Sequence, residues 1–272
     1  MALTKVTSDV RTLGNNEVGS AQISANAVTS SELADNAVTS SKISDDAVGL
    51  AEMAHGTDGN LISYDASGAP AHVATGSVNQ ILVSNGAGAA PTFQNLHSAL
   101  PSGSVLEELW LPQNGTSQTV SSGTYTGANI TAYQDLTDAY ADITGSSINY
   151  TPPSGATRVV YSLHLYSSFN TTSDTYSHYK TYLDSTEVTA ARANNSARYL
   201  DHPQIFTWVF LIGGSADTAT GQVASWTSAK QIKMQARMYS DSYNQRLHQT
   251  YYWDGVTSGQ NHVPVINIKA IK

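Results

Sequence analysis

The sequence predicts a mainly β protein with two parts: an extended, repeat-containing N-terminal shaft shared between three chains, and a C-terminal antiparallel β-sandwich head of the jelly-roll kind. Three observations lead to this prediction. Aromatic residues lie almost entirely in the C-terminal part, two internal repeats fill the N-terminal part, and closely spaced segments rich in β-forming residues follow.

The aromatic residues separate a core-poor part of the chain from a core-rich part. Of 4 Phe, 4 Trp and 15 Tyr, only Tyr64 and Phe93 precede residue 101. Large aromatic side chains supply much of the area that a core buries. We therefore expect residues 1–100 to be extended and residues 101–272 to form a compact head.

Residues 17–56 contain a ten-residue repeat, seen most clearly in SELADNAVTS (31–40) and SKISDDAVGL (41–50). Its large apolar residues lie five positions apart, which fits neither a helix nor a strand. Thr29 and Glu32 have the spacing of a capping box at the start of a helical turn, and residues 36–39 are expected to be extended. The apolar positions are Ile23, Val28, Leu33, Val38, Ile43, Val48 and Met53.

So few apolar residues cannot form a core within one chain, and repeats of this kind gain stability by stacking. Three chains around a common axis would bury these residues as the core of a trimeric shaft. The alternative is a disordered low-complexity arm, which the low apolar density also permits. The regular spacing of five favours the shaft.

A second repeat of about twenty residues occupies 57–100, a region we expect to continue the shaft as a neck. Each copy is a short apolar segment, a turn rich in Gly and Ala, a Pro and a second segment. Ser67-Gly68 and Asn85-Gly86 are turn signals, because Gly and Asn tolerate positive φ. Each copy therefore predicts a β-hairpin.

The head contains several strand-like segments and no helical pattern. Residues 231–239 alternate cleanly, with Ile232, Met234, Ala236 and Met238 expected inside. Residues 204–212 form a continuous apolar run, which predicts a central strand buried on both sides. Further strands are expected at 104–111, 157–166, 177–183, 248–253 and 263–271.

Composition and motifs exclude several function classes. Only 12% of residues are charged and the net charge is -8, which argues against nucleic-acid binding. With no Cys, no catalytic motif and no paired His, we predict no enzyme, no metal and no cofactor. Asp184 and Glu187 lie three residues apart and could be the two carboxylates of a glycosidase. We favour the interpretation that they lie in a solvated loop. His164, on a core-like strand, is interpreted as structural. No apolar segment is long enough to insert into a membrane.

Tyrosine is the informative residue of the head, because 15 Tyr against 4 Phe exceeds what core packing requires. Tyrosines cluster with Ser, Asn, Asp and Arg, a mixture typical of adaptable recognition surfaces. Flat rings with polar neighbours also suit sugars. The alternative is that these tyrosines lie at sheet edges or subunit interfaces. The candidate binding residues are Tyr166, Tyr176, Tyr239, Tyr243, Arg246, Tyr251, Tyr252 and Trp253.

Three stretches carry a resemblance to a known class of protein. ADNAVTSSKISDDAV (34–48) and GSVNQILVSNGAGAAPTFQ (76–94) resemble repeats of tail fibres and related appendages of tailed bacteriophages. Residues 133–156, from YQDLTDAYADITG onward, look like the start of β-sandwich heads on fibres of aquatic phages. The resemblance implies a homotrimeric virion fibre, made in the host cytoplasm, with an N-terminal attachment and a C-terminal tip.

On this basis residues 1–16 are expected to attach to another virion protein, either a tail adaptor or nozzle or the capsid. Residues 17–56 and 57–100 form the shaft and neck, and residues 101–272 form the tip. The expected function is host-surface recognition and adsorption by a tail fibre, through a surface glycan or an envelope protein. Alternatives are a head fibre or decoration protein without an obligatory receptor, and a polysaccharide depolymerase.

The shaft hypothesis makes a direct prediction about mass. Because the apolar residues at five-residue spacing need partners from other chains, residues 17–272 are expected to have three times the chain mass in solution. Light scattering coupled to size exclusion measures this mass. A monomer would contradict the shaft.

Overall fold

A computed structural model describes residues 23–45, 47–48, 55–68, 70–169, 175–197, 201–240, 242, 244–250 and 259–272. The chain divides into two units, Met1–Asp58 and Gly59–Lys272.

The described part of the first unit is a succession of tight turns. Its turns recur every five residues, the same interval as the apolar residues between them. Asn26 and Asn36 have positive φ angles of 63° and 62°, a conformation that asparagine adopts more readily than most residues. Ser40–Lys42 forms a short 3-10 helix. Backbone N–H groups bonded to the carbonyl three residues earlier belong to Ala27, Glu32, Ala37, Lys42, Ile43 and Ala47.

Half of the predicted capping box at Thr29 is present, because the Glu32 carboxylate bonds to the Thr29 N–H, whereas the Glu32 N–H bonds to the Thr29 carbonyl and not to its hydroxyl. The Thr29 backbone N–H donates to the Glu32 carboxylate at 2.7 Å, and the Thr29 hydroxyl donates to the same oxygen. The bond from the Thr29 hydroxyl is the main reason that the pKa of Glu32 falls to about 2. The expectation that residues 36–39 are extended is wrong at Asn36. A second turn, closed by Ala37 N–H to Ala34 O at 2.9 Å, places Asn36 in the left-handed region.

The apolar residues of the repeat remain uncovered within this unit. Ile23, Val28, Leu33, Val38, Ile43 and Val48 are between 44% and 59% exposed. Met53 lies outside the described residues. The described part of the unit therefore builds no core of its own from these side chains, and the trimeric shaft stays a prediction.

The second unit begins with the two predicted hairpins, which both form. They are antiparallel pairs, and a one-turn helix follows them. The elements are β1 Leu61–Tyr64 with β2 Pro70–Val73, β3 Gln80–Val83 with β4 Thr92–Asn95, and α1 Leu96–Ala99.

The rest of the second unit is the head, in which the described residues form fifteen strands. The long strands coincide with the alternating or apolar segments of the sequence. In chain order they are β5 Val105–Pro112, β6 Ser117–Val120, β7 Gly123–Thr126, β8 Gln134–Asp135, β9 Ala141–Asp142, β10 Ile148–Tyr150, β11 Arg158–Phe169, β12 Thr175–Leu183, β13 Thr186–Ala197, β14 Asp201–Leu211, β15 Lys230–Met238, β16 Gln245–Leu247, β17 Gln249–Thr250, β18 Gln260–Asn261 and β19 Val265–Ile271.

Two antiparallel sheets form the body of the head. The six-stranded sheet contains the order β5-β19-β11-β14, with β16 and β8 continuing beyond the distal part of β11. The five-stranded sheet has the order β10-β15-β12-β13, with β9 beside β15. These two four-strand orders are those of a jelly roll, a double sheet that allows a chain to close a core with few exposed edges. The prediction of a mainly β, antiparallel fold is confirmed.

The core lies between the two sheets and follows the period-2 alternation of the strands. Ile232, Met234, Ala236 and Met238 on β15 are all at most 4% exposed, as predicted. Across the core, Tyr179 of β12 packs on Phe206 of β14 with ring centroids 4.3 Å apart.

The prediction for residues 204–212 is wrong. β14 pairs with β11 alone among the described strands, so it is an edge strand and not a central one. Its inward Phe210 is fully buried, but its outward Ile205, Val209 and Leu211 are 61%, 41% and 46% exposed. An apolar run predicts burial on both sides, and within this chain only one side is covered.

The buried carboxylate of Glu107 forms hydrogen bonds to several elements at the start of the head. Glu107 is 6% exposed and accepts hydrogen bonds from the hydroxyls of Ser121 and Ser122 at 2.6 Å and from the Ser122 backbone N–H at 2.7 Å. Tyr150 donates to it at 2.8 Å. Burial and the nearby Glu107 carboxylate raise the pKa of Tyr150, so that phenol remains a donor. The carboxylate therefore joins β5 to the turn after β6 and to β10 of the other sheet.

Glu107→Gln is expected to lower the free energy of unfolding by about 2 kcal/mol. The amide nitrogen of Gln would replace one carboxylate oxygen and cannot accept the hydrogen bonds that this oxygen receives, and the remaining bonds would no longer be made to a charged group. Denaturant unfolding measures the change. The matched control is Glu108→Gln on the same strand, whose partly exposed ion pair with Lys269 is expected to contribute less than about 1 kcal/mol. Equal effects of the two substitutions would contradict the role of Glu107.

Candidate functional site

The ends of five strands lie at one end of the head. The register places Phe169 of β11 beside Gln245 of β16, Thr175 of β12 beside Ala197 of β13, and Ser177 of β12 beside Met238 of β15. We call this the distal end.

The chain enters the head at the opposite end. There Val105, Ile271 and Arg158 lie side by side on β5, β19 and β11. β11 has 12 residues, so about 36 Å of strand separates this entry from the distal end. Within the second unit, the distal end therefore lies opposite the point of entry.

Two of the predicted tyrosines meet near the distal end. Tyr176 begins the outward face of β12 and Tyr239 directly follows β15, the strand that pairs with β12. Their rings meet edge to face with centroids 6.5 Å apart, and His178 lies 6.1 Å from Tyr239. The Tyr239 N–H donates to the Tyr176 carbonyl at 2.7 Å. Tyr176, His178 and Tyr239 form what we call the distal aromatic cluster.

The cluster presents exposed rings. Tyr176 is 45% and Tyr239 62% exposed. Because an edge-to-face contact covers at most one face of one of the two rings, a ring face remains available for contact with a flat apolar surface.

Hydrogen-bonding groups lie next to the cluster. In the register, His178 lies between Asn194 of β13 and Arg237 of β15. A shallow cavity of about 300 Å³ opens beside them, lined in part by His178, Asn194, Tyr140 and Arg192. The combination of aromatic rings, amide and guanidinium groups can bind a ligand with both apolar faces and polar edges.

Sequence reasoning missed His178, Asn194, Tyr140 and Arg237 as members of this surface. The alternation along β12 and β15 placed His178 and Arg237 outward, which was a usable signal. The contribution of Tyr140 had no such signal: its ring lies 4.3 Å from the Lys180 ammonium and 5.2 Å from the Arg237 guanidinium, and this contact depends on the tertiary fold.

The remaining candidates are not part of this cluster. Tyr166 lies on the outer side of the six-stranded sheet, where its ring stacks on His262 with centroids 3.9 Å apart. Arg246 forms an ion pair with Asp135 at 2.9 Å and lies over the Tyr133 ring. Tyr243, Tyr251, Tyr252 and Trp253 lie outside the described residues.

Near the distal end, the interior of the head is polar. Gln204 donates to the Ser167 hydroxyl at 2.6 Å, and both residues are buried. Gln245 and Ser177 donate to the Tyr179 hydroxyl at 3.0 and 3.1 Å. Burial raises the pKa of Tyr179, which therefore stays protonated. Directional bonds of this kind fix the strand ends that carry the distal surface.

The carboxylates of Asp184 and Glu187 are both bonded to cations. Asp184 accepts from Lys230 at 3.0 Å, and Glu187 accepts from Arg192 at 2.6 Å and from Lys180 at 3.0 Å. The bond from Arg192 is the main reason that the pKa of Glu187 lies below its ordinary value. A general acid of a glycosidase needs the opposite shift.

Within the described ranges, no group of three or more His, Asp or Glu side chains is placed to hold a metal ion. The same part of the chain contains no helix long and apolar enough to cross a membrane.

Comparisons with known proteins identify no family. No protein-family model matches the chain, and no curated protein matches it. Two solved structures of infectious bursal disease virus, of the Gt and Gx strains, match with TM-scores of 0.28 and identities of 9% and 10%. Each match covers 75% of this chain but only 45% and 43% of the viral chains, so this chain spans less than half of their length. A TM-score of 0.28 does not establish a shared fold.

The buried His248 is expected to make the stability of the head depend on pH. His248 is fully buried with φ 63°, and its N–H donates to the Tyr166 carbonyl at 2.7 Å. Neither ring nitrogen has a well-formed hydrogen bond to the described residues. Burial lowers the pKa of His248 to about 4, despite a smaller opposing effect of the Thr144 backbone.

The unfolded chain binds a proton at this histidine below about pH 6.5, whereas the folded chain does so only near pH 4. Stability is therefore expected to fall by about 2 kcal/mol between pH 7.5 and pH 5. His248→Asn tolerates the positive φ and is expected to remove this part of the pH dependence. Urea unfolding across this range measures it, and parallel pH profiles for the two proteins would contradict the assignment. The lowered pKa of His164 contributes equally to both profiles.

Proposed function

We propose that this chain is a non-enzymatic subunit of a bacteriophage tail fibre that assembles as a homotrimer and contacts the host surface through the distal aromatic cluster. The observation that carries the proposal is the pair of exposed tyrosines, Tyr176 and Tyr239, close to the end of the head that lies opposite the chain entry.

The chemistry of this surface favours a glycan as the ligand. Sugar rings present C–H faces that pack on aromatic rings and hydroxyl edges that hydrogen-bond to amides and guanidinium groups. Tyr176 and Tyr239 supply the first kind of contact. Asn194, Arg192 and Arg237 supply donors for the second. A single site of this kind binds weakly, and three heads on one shaft would raise the avidity.

The exposed apolar residues of the first unit support assembly from several chains. Six of them recur at five-residue spacing and are about half exposed. Three copies around an axis would cover them, as the resemblance to phage fibre repeats implies. Attachment through residues 1–16 stays a prediction, since this segment lies outside the described residues.

The lowered pKa of Glu187 and the cation contacts of both carboxylates support a binding role over the depolymerase alternative. Release of reducing sugar from host polysaccharide by the purified protein would contradict this part of the proposal.

Binding is tested with the full chain, labelled with a fluorophore, on host cells and on an array of bacterial lipopolysaccharide and capsule glycans. Tyr239→Ala and Tyr176→Ala are each expected to weaken binding at least about tenfold, because an aromatic contact of about 1.4 kcal/mol per site is lost. Both side chains are exposed, so the substitutions are expected to leave the fold unchanged.

The matched control is Tyr64→Ala on β1, a tyrosine that is 68% exposed and lies in the first hairpin, outside the two sheets of the head. It is expected to bind like the parent protein. Undiminished binding by both head variants would overturn the role of the cluster. Binding to cells but not to any glycan would point to an envelope protein as the receptor. Phage adsorption that is unaffected by antibody against residues 101–272 would favour a head fibre or decoration protein.

A further inference from the structure

The outer side of the six-stranded sheet carries exposed apolar side chains, with a polar row of Asn267, Ser162 and Thr207 and the Glu108–Lys269 ion pair between them. The register places the outward residues of its four long strands in rows, such as Val105, Ile271, Arg158 and Leu211. We call the following outward side chains the apolar face: Val105, Trp110, Val160, Ile205, Val209 and Leu211. Five of the six are between 41% and 61% exposed, and Val160 is half-buried.

The outer side of the five-stranded sheet is chemically different. Its outward positions on β12 and β15 carry Lys180, Tyr182, Lys233, Gln235 and Arg237. The five-stranded side of the head is therefore suited to water or a polar ligand, whereas the six-stranded side exposes more apolar area. Uncovered apolar area of this kind marks an interaction surface.

The charge on the apolar face is largely neutralised within the chain. Glu108 and Lys269 form an ion pair at 3.2 Å, and the Trp110 indole N–H donates to Glu108 at 2.8 Å. Arg158 is an exposed cation in the row at the entry end. Such a face fits a partner surface that is itself apolar and nearly neutral, rather than a charged one.

The exposed area suits a protein partner of ordinary size. At usual side-chain areas the six residues expose roughly 500 Å² of apolar surface, close to the nonpolar part of a standard interface of about 800 Å² per partner. Near the distal part of this side, a depression of about 250 Å³ lined in part by His164, Ile205 and His262 offers room for a side chain from the facing surface.

The edge of the sheet next to this face is covered at its Leu211 end, where the Val223 backbone N–H donates to the Leu211 carbonyl at 3.0 Å. Among the described strands, β14 pairs only with β11, so the rest of its other edge has no strand partner. An open edge beside an exposed apolar face promotes self-association unless a defined partner covers it.

We infer that the apolar face is the surface through which the head contacts the heads of other copies of the same chain. This inference rests on the proposed assembly of the chain into a fibre. A shaft shared between copies would hold the heads at an effective concentration of about millimolar, so a second copy is the partner always present. Another copy offers the apolar, nearly neutral surface that this face requires.

Because the chain contains no Cys, single cysteines report on burial directly. Ile205→Cys and Val209→Cys are introduced one at a time into the full chain and labelled with a small maleimide. The control is Ser196→Cys, a near-isosteric change at an exposed outward position of β13 on the other sheet. We expect labelling at 205 and 209 to be at least tenfold slower than at 196, and denaturation to remove the difference.

Light scattering on the same samples separates the two proposals. Assemblies of the full chain in which 205 and 209 label as fast as 196 would overturn the inference and leave fibre assembly intact. A monomeric chain would overturn both. If cysteines at 205 and 209 are labelled fast in the purified assembly but slowly in intact virions, another virion protein covers the face. That result also overturns the inference.

Discussion

The organisation of the head depends on the pairing of β11 along both of its edges. One edge pairs with β14 over eleven positions, and the other pairs with β19 and then with β16. Val159, Tyr161 and Leu163 point inward and are at most 1% exposed. Because successive side chains of a strand alternate, the burial of these residues fixes which residues point outward on every neighbouring strand. The same constraint creates both the core and the apolar face.

The register also explains why the candidate surface contains some predicted residues and not others. Tyr176 and Tyr239 are 63 positions apart in the chain but meet because β12 and β15 are neighbours. Tyr166 belongs to the other sheet, whose outward side faces away from the five-stranded one. A cluster seen in sequence is local, whereas a surface is formed by strand order, which composition does not reveal.

Strands with clean alternation were predictable from the sequence alone. β15 shows the period of 2 in its residue types, so both its existence and its inward set followed directly. β14 lacks that alternation because both its faces are apolar. A single-chain interpretation then predicts burial on both sides, whereas the chain itself covers only one. If copies of the chain cover the other side, the apolar run of β14 is explained by assembly rather than by the fold of one subunit.

The five-residue spacing of the first unit illustrates the same limit. The spacing indicated a regular unit, but the choice of an extended segment at 36–39 neglected the turn preference of Asn36. In the structure a turn closes every five residues, and each apolar residue from Ile23 to Val48 lies between turns. Tight turns satisfy part of the local backbone hydrogen bonding, so the backbone does not need to pair into a sheet. What remains unsatisfied in this unit is apolar surface, and only contact with another surface can cover it. The first unit and the apolar face of the head thus present the same physical requirement, one in a turn-based repeat and the other in a sheet, and the proposed assembly of several copies would meet both.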